Sequence, residues 1–224
     1  MTHLDIELKR LKSEILEMFA LVSSQLVKAK EALLNVDKSL AREVNFNEKR
    51  VNALELKIDK DCENIFALFN PLAIDLRFVL AVLKINSNLE RIGDIADGIA
   101  RYVAETETVF DEELLKVTEL ATMYDMALEM MNDAQQAFDQ ENTKLARGVF
   151  KKDDILDEIN ARANSVLESY IKGHPDKVMQ ALHIVSTIRK LERTGDQAKN
   201  IVEEIIFYIE AKVLKHLSTS AKQE

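Results

Sequence analysis

LERIGD at Leu89–Asp94 and LERTGD at Leu191–Asp196 are two copies of one stretch, 102 positions apart (191 − 89). The chain has only two prolines, Pro71 and Pro175, and each precedes one copy of this stretch. In both copies a long amphipathic segment comes just before the proline. A repeat of this length far exceeds the roughly 20–50 residues of solenoid repeats, so the simplest interpretation is duplication of a whole helical bundle.

Six segments show apolar positions at steps of three and four residues, which predicts amphipathic helices. No stretch alternates at period two for long enough to predict a strand. We expect the helices over about 3–36, 39–69, 73–105, 111–140, 142–170 and 176–214. Long helices with one apolar stripe and short loops pack antiparallel into bundles. The sequence therefore predicts an all-α fold of six long helices in two tandem, pseudo-symmetric three-helix bundles.

The repeat and the composition predict the domain organisation. We expect a first bundle over residues 1–106, a second over 107–216, and a frayed polar tail over 217–224. Only 5 residues are glycine and 2 are proline, which indicates few turns and hence few, long elements. Apolar residues make up 47% of the chain and charged residues 31%, and no apolar run approaches the roughly 20 residues of a membrane span.

The charge and the single cysteine restrict the possible partners and the compartment. A net charge of −9 with no Lys/Arg run disfavours nucleic acid, which is bound largely through its phosphates. The same charge favours a basic partner surface or metal cations. Cys62 is the only cysteine, which excludes an internal disulfide and fits a reducing compartment. Because no secretory signal is visible either, we expect a cytoplasmic protein.

Carboxylates flank the core stripe in the two helices that carry the repeated stretch. Glu90 and Asp94 lie four residues apart in the third helix, and Glu192 and Asp196 repeat this pair in the sixth. Residues at i and i+4 project side by side, where like charges cost a few tenths of a kcal/mol. Because the same unfavourable pair occurs twice, a functional role is favoured over a solvated face.

The helix before each of these carries a similar stripe of oxygen-bearing side chains. In the second helix the stripe consists of Glu48, Asn52, Glu55 and Asp59. In the fifth helix it consists of Asp153, Asp157, Asn160 and Asn164. If the two stripes of a bundle face each other, they line a groove whose oxygens suit hard cations such as Mg²⁺, Ca²⁺, Mn²⁺ or iron. A ferritin-like di-iron site is disfavoured because the sequence has no Glu-x-x-His pair.

Gly93 and Gly195 lie inside predicted helices, where glycine costs about 1 kcal/mol relative to alanine. Two interpretations stay open: room for a metal cluster beside the carboxylates, or close packing of the facing helix. We expect Arg91 and Arg193 to pair with neighbouring acids rather than to bind an anion.

At these residues the chain resembles the PhoU family of phosphate-signalling regulators. The resemblance rests on Leu89–Asp94, on Leu191–Asp196 with the following Asn200–Glu203, and on Pro71–Arg77 at the entry to the third helix. It extends from the first helix to about residue 214. It implies two three-helix bundles side by side, with acidic (Glu/Asp)-x-x-x-Asp motifs that hold multinuclear iron or another metal. Mn, Mg and Zn are the alternatives to iron, and no organic cofactor is implied.

The resemblance further implies a cytoplasmic adapter that represses the phosphate-starvation response, and not an enzyme. The implied partners are the ATPase subunit of a phosphate ABC transporter and a phosphate sensor histidine kinase, with no nucleic acid. Such partners would place the protein at the periphery of the inner membrane. A homodimer is also expected from the family.

Carried over by position, the resemblance also implies a set of metal ligands. They are Glu192, Asp196, Asp153, Asp157 and Asn200 in the second bundle, and Glu90, Asp94, Glu48 and Asn52 in the first. The first bundle departs from the family pattern, because Asn52 stands where the family favours Asp and Gly98 stands where the second copy has Asn200. We therefore expect metal binding mainly in the second bundle.

Two other functions remain open on the sequence. One is a metal-dependent enzyme with carboxylate-held iron or manganese, although no nucleophile or general base in an enclosed pocket is evident. The other is a structural scaffold or metal-handling protein without a role in phosphate signalling. For a pure scaffold, Asp153→Ala with Asp157→Ala would change neither metal content nor signalling.

Overall fold

The computed structural model describes residues 2–214, and within that range the secondary structure is entirely helical. The described helices are α1 (His3–Asn35), α2 (Lys38–Phe69), α3 (Ala73–Glu105), α4 (Glu112–Val117), α5 (Leu120–Gln140), α6 (Thr143–Gly173) and α7 (Val178–Glu210), with a 3₁₀ turn at Pro175–Lys177. The predicted all-α fold is confirmed, and α3 has the predicted bounds. The predicted tail over 217–224 lies outside the described residues.

The prediction of one continuous fourth helix over 111–140 is wrong, because the structure divides this segment into α4 and α5. Glu119 separates them with a left-handed φ of 52°. At the end of α4 the Thr118 hydroxyl donates to the Leu114 carbonyl at 2.7 Å. Leu114 and Leu120 are both buried on either side of the break, so the apolar pattern continues through it. The last helix also ends earlier than predicted, at Glu210.

Side-chain caps fix the starts of several helices. The Thr2 hydroxyl accepts from the Asp5 N–H, and the Asp5 carboxylate accepts from the Thr2 N–H, which forms a capping box at α1. Simple N-caps begin two other helices: the Asp37 carboxylate accepts from the Ser39 and Leu40 N–H groups at α2, and the Asn142 side chain accepts from the Leu145 N–H at α6. These caps allow the connections before α2 and α6 to be short.

The helices form two bundles, α1–α2–α3 and α5–α6–α7, whose buried apolar side chains make one continuous cluster. Phe19, Ile58 and Ile85 are buried in the first bundle, and Tyr124 and Phe150 in the second. The expected division at 106/107 falls in the segment between α3 and α4, and the exact domain bounds stay a prediction. Within residues 2–214, no helix has an apolar stretch long enough for a bilayer.

The bundles meet along a seam between α3 and α7, which run antiparallel there. Lys84 of α3 donates to the buried Glu204 carboxylate of α7 at 3.0 Å. About one turn along each helix from that pair, the Asn200 amide of α7 donates to Asn88 Oδ1 of α3 at 3.4 Å. As numbers rise along α3 they fall along α7, which fixes the antiparallel direction.

The same seam repeats with the two helices exchanged. The Tyr102 hydroxyl of α3 lies 2.6 Å from Ser186 Oγ of α7. Lys190 lies over Gly98, where a Cβ would be 2.6 Å from the lysine Nζ. These two pairs are the repeat equivalents of the first two. A shift of 102 positions converts Lys84 and Glu204 into Ser186 and Tyr102, and it converts Asn88 and Asn200 into Lys190 and Gly98. The seam is therefore pseudo-twofold in its contacts as well as in its helices.

Four aromatic rings from four helices close one end of this seam. Phe138 of α5 lies 6.1 Å from Phe19 of α1, 6.1 Å from Phe78 of α3 and 6.2 Å from Tyr208 of α7, measured between ring centroids. Because the rings come from both bundles, this cluster joins them through apolar packing.

Phe138→Ala is expected to lower the free energy of unfolding by about 3–5 kcal/mol, because it removes the fully buried ring that contacts all the others. Phe46 is 68% exposed on α2 and supplies the control, since Phe46→Ala should change stability by no more than about 0.5 kcal/mol. Urea unfolding measures both. Equal small losses would show that the aromatic cluster does not join the bundles.

Candidate functional site

Each bundle brings its two acidic stripes together beside its helical glycine. A Cβ on Gly93 of α3 would lie 3.4 Å from Glu48 Oε2 and 3.0 Å from Val51 Cγ1, both on α2. A Cβ on Gly195 of α7 would lie 2.8 Å from Asp153 Oδ1 on α6. Of the two interpretations of these glycines, the structure supports close packing of the facing helix, and a carboxylate of that helix takes up the space.

The first cluster consists of Glu48, Glu90, Asp94 and Asp97. Burial raises the pKa of Glu48 to about 7, and repulsion from Asp94, Asp97 and Glu90 adds to the effect. Burial, with repulsion from Asp94 and Glu55, also raises the pKa of Glu90. Within the described chain, Glu48 Oε1 is buried and has no hydrogen-bond partner. Three carboxylates of this cluster therefore repel one another without full compensation.

Asp97 differs from the other members of the first cluster, because its charge is compensated. The Asn45 amide of α2 donates to Asp97 Oδ1 at 2.6 Å, and the Arg101 guanidinium lies 2.5 Å from Oδ2. Asp97 is only 4% exposed, and its hydrogen bond from Asn45 joins α2 to α3 beside the cluster. Asn52, one turn beyond Glu48 on α2, is exposed at the rim.

The second cluster consists of Asp153, Asp157, Glu192 and Asp196, and it contains a cation of its own. Lys199 Nζ pairs with Asp153 Oδ2 and lies 2.9 Å from Asp196 Oδ1. Burial acts to lower the pKa of Lys199, but the hydrogen bonds to Asp153 and Asp196 outweigh it and raise that pKa. Burial raises the pKa of Asp153 to about 6, although Lys199 opposes the shift. The lysine ammonium thus neutralises the buried part of this cluster.

The outer members of the second cluster are less enclosed. Burial, with repulsion from Asp196 and Asp157, raises the pKa of Glu192. Asp157 itself is exposed. Asn200 contacts Asn88 across the α3–α7 seam, so the structure places this predicted ligand with the seam.

Lys199 is the functional residue that the sequence reasoning missed. Its repeat equivalent, 102 positions earlier, is Asp97. Aligning the two copies over the residues after the repeated stretch reveals this change from carboxylate to ammonium. The contact with Asp153 could not be read from α7 alone, because Asp153 belongs to α6.

The donor chemistry of the two clusters fits a cation to different degrees. As placed, no three His, Cys, Asp or Glu side chains in residues 2–214 are arranged to hold one metal ion. In the first cluster the mutual repulsion and the unpartnered Glu48 oxygen nevertheless suit a hard cation. In the second cluster Lys199 already supplies the positive charge.

Glu48→Gln is expected to stabilise the chain in a pH-dependent way. The folded pKa of Glu48, about 7, lies above its ordinary value of 4.5. The native protein therefore loses free energy of unfolding as the pH rises from 4.5 through about 7, because the buried carboxyl must ionise. The glutamine does not titrate. The variant should gain on the order of 1 kcal/mol near pH 8, allowing for solvent screening of this half-buried group, and little near pH 4.

Urea unfolding in the presence of a chelator at the two pH values measures this difference. Glu63→Gln, at an exposed position of the same helix, is the matched control and should show no such pH dependence. A gain that is the same at both pH values would contradict the assigned cause.

Known proteins resemble the chain over nearly its whole length. The PhoU domain model matches it twice, over residues 15–103 and 120–205. The phosphate-specific transport system accessory protein PhoU homolog 1 of Thermotoga maritima is 34% identical over 216 residues, which cover 95% of this chain and 91% of the relative. The accessory protein PhoU of Escherichia coli is 30% identical over 211 residues, which cover 94% and 87%. The crystal structure of PhoU from Pseudomonas aeruginosa matches with a TM-score of 0.85 at 31% identity, covering 93% of this chain and 99% of that one.

Proposed function

We propose that this chain, which belongs to the PhoU family, is an accessory protein of phosphate transport and a negative regulator of the phosphate-starvation response. The observation that carries the proposal is the full-length match to relatives named as accessory proteins of the phosphate-specific transport system. The doubled PhoU domain, in the same helical order as the repeat, supports it.

The proposed mode of action is that of an adapter rather than of an enzyme. Its partners would be the ATPase subunit of the phosphate transporter and a phosphate sensor kinase, met at the cytoplasmic face of the membrane. A net charge of −9 and two acidic clusters with exposed outer members favour a basic surface on at least one partner. The protein would work as a homodimer, which light scattering would test.

Cells that lack this protein and grow in ample phosphate are expected to show high phosphate-starvation output, such as secreted alkaline phosphatase, because the repressing contact is missing. Re-expression of the native chain should restore low output. Phosphatase activity in culture medium, with and without phosphate limitation, measures the effect. Phosphatase activity that stays low in ample phosphate and still rises normally on starvation would contradict the regulatory role and favour a scaffold or metal-handling function.

We also propose that a hard cation, with iron or manganese as the first candidates, binds the first cluster. Glu48, Glu90 and Asp94 would hold it, with Asn52 as a neutral donor at the rim. A bound cation would relieve the repulsion that raises the pKa of Glu48 and Glu90, and would link α2 to α3. This order of the two bundles is the opposite of the one expected from the sequence, because Lys199 already serves the second cluster.

Glu90→Gln with Asp94→Asn is therefore expected to remove most of the bound metal, whereas Glu192→Gln with Asp196→Asn should remove little. Lys199→Gln should increase metal uptake, because it withdraws the internal ammonium and keeps a hydrogen-bond donor near Asp153. Elemental analysis of each variant after equilibration with Mn²⁺ or iron measures the bound metal. A greater loss from the Glu192 and Asp196 variant would restore the ranking expected from the sequence.

A further inference from the structure

Within residues 2–214, Gly148 is a helical glycine that no packing contact explains. The space beside Gly93 and Gly195 is filled by the facing helix, and Lys190 covers Gly98. At Gly148, in the second turn of α6, a Cβ would meet no atom within 4 Å. Glycine destabilises a helix relative to alanine, so its presence here serves no contact within the described chain. No described residue covers this patch of α6 backbone.

This open patch is part of a pocket of about 470 Å³ between α6 and the residues that follow α7. Cationic side chains dominate its lining: Lys144, Arg147 and Lys151 come from α6, and Lys212 from the segment after α7. Lys144, Gly148 and Lys151 lie at steps of four and three residues, so they share one face of the helix. The glycine thus lies between two lysines.

One carboxylate faces these four cations. Glu210 Oε2 lies 3.0 Å from Arg147 Nη2 and 3.2 Å from Lys212 Nζ. Among the described lining residues, four positive side chains and one negative one leave a pocket charge of +3 (4 − 1), in a chain whose net charge is −9. Among the described residues, neither Lys144 nor Lys151 forms an ion pair. The lysine charges beside Gly148 are therefore available to a ligand.

The lining also indicates which anion fits. The lining residues that the structure describes include no aromatic and no large aliphatic side chain, so they offer a flat or apolar group nothing to pack against. Lys144 and Lys151 are two turns apart, or about 10.5 Å along the helix axis, and an anion with two charged groups can reach both more easily than one with a single group. Oxygen-rich phosphate groups pair well with lysine and arginine.

We propose that this pocket binds a compact oxyanion with two phosphoryl groups, such as pyrophosphate, through Lys144 and Lys151 across the open backbone at Gly148. The pocket shares no residue with the acidic clusters. The proposal goes beyond the regulatory role and does not depend on it, because binding is measured on the purified chain and regulation is measured in cells.

Calorimetric titration of the full chain with pyrophosphate, at low and at physiological ionic strength, tests the proposal. Lys144→Gln with Lys151→Gln should weaken binding by at least about ten-fold, which corresponds to the loss of a charge-assisted hydrogen bond. Lys49→Gln with Lys60→Gln changes the net charge equally at exposed positions of α2 and should leave binding intact. Orthophosphate should bind at least about ten-fold more weakly than pyrophosphate.

Gly148→Ala separates ligand approach from folding. The added methyl group should raise the midpoint of urea unfolding, because alanine favours the helix, and should weaken pyrophosphate binding several-fold. No binding to the native chain, equal weakening by the two lysine pairs, or equal affinity for orthophosphate would overturn the proposal. Undiminished binding by Gly148→Ala would overturn the role given to the open backbone.

Discussion

The packing of α3 against α7 is the contact on which the rest of the structure depends. Each of these helices completes the core of its own bundle and also meets the other bundle across the seam. Two sides of each helix are therefore packed, and many apolar side chains of both helices are buried. A third side of each helix turns toward α2 or α6 and opens to solvent. The acidic clusters occupy that side in both bundles, with the glycines at the closest approach.

The two clusters have diverged although they come from one repeated unit. Equivalent glycines face equivalent carboxylates, Glu48 and Asp153, which are both poorly solvated. The difference comes from one position on the next turn, where Asp97 is tied down by neighbouring donors and Lys199 reaches into the cluster. The change of sign at that position gives the second cluster a cation that pairs with Asp153 and Asp196, whereas the first cluster has a carboxylate there.

Much of this architecture could be predicted from the sequence, because long helices leave a strong periodic signal and the repeat supplies a second, independent copy of it. The bounds of α3 and the facing acidic stripes were predicted in this way. The break at Glu119 was not, since apolar spacing records which face is buried and not the backbone angle of one polar residue. The role of Lys199 could not be predicted either. A lysine in a polar stripe resembles a solvated side chain until the position of Asp153 on another helix is known.

The pseudo-twofold seam has a consequence for how such a chain could have arisen. A single three-helix unit that paired with a second copy of itself through this face would have formed an isologous dimer, in which every contact occurs twice. In such a dimer one substitution alters both contacts together. Once the two units were fused, each half of the seam could vary alone. The pair Asn88 and Asn200 on one side, and Lys190 over Gly98 on the other, are what independent drift of two once-identical contacts would leave.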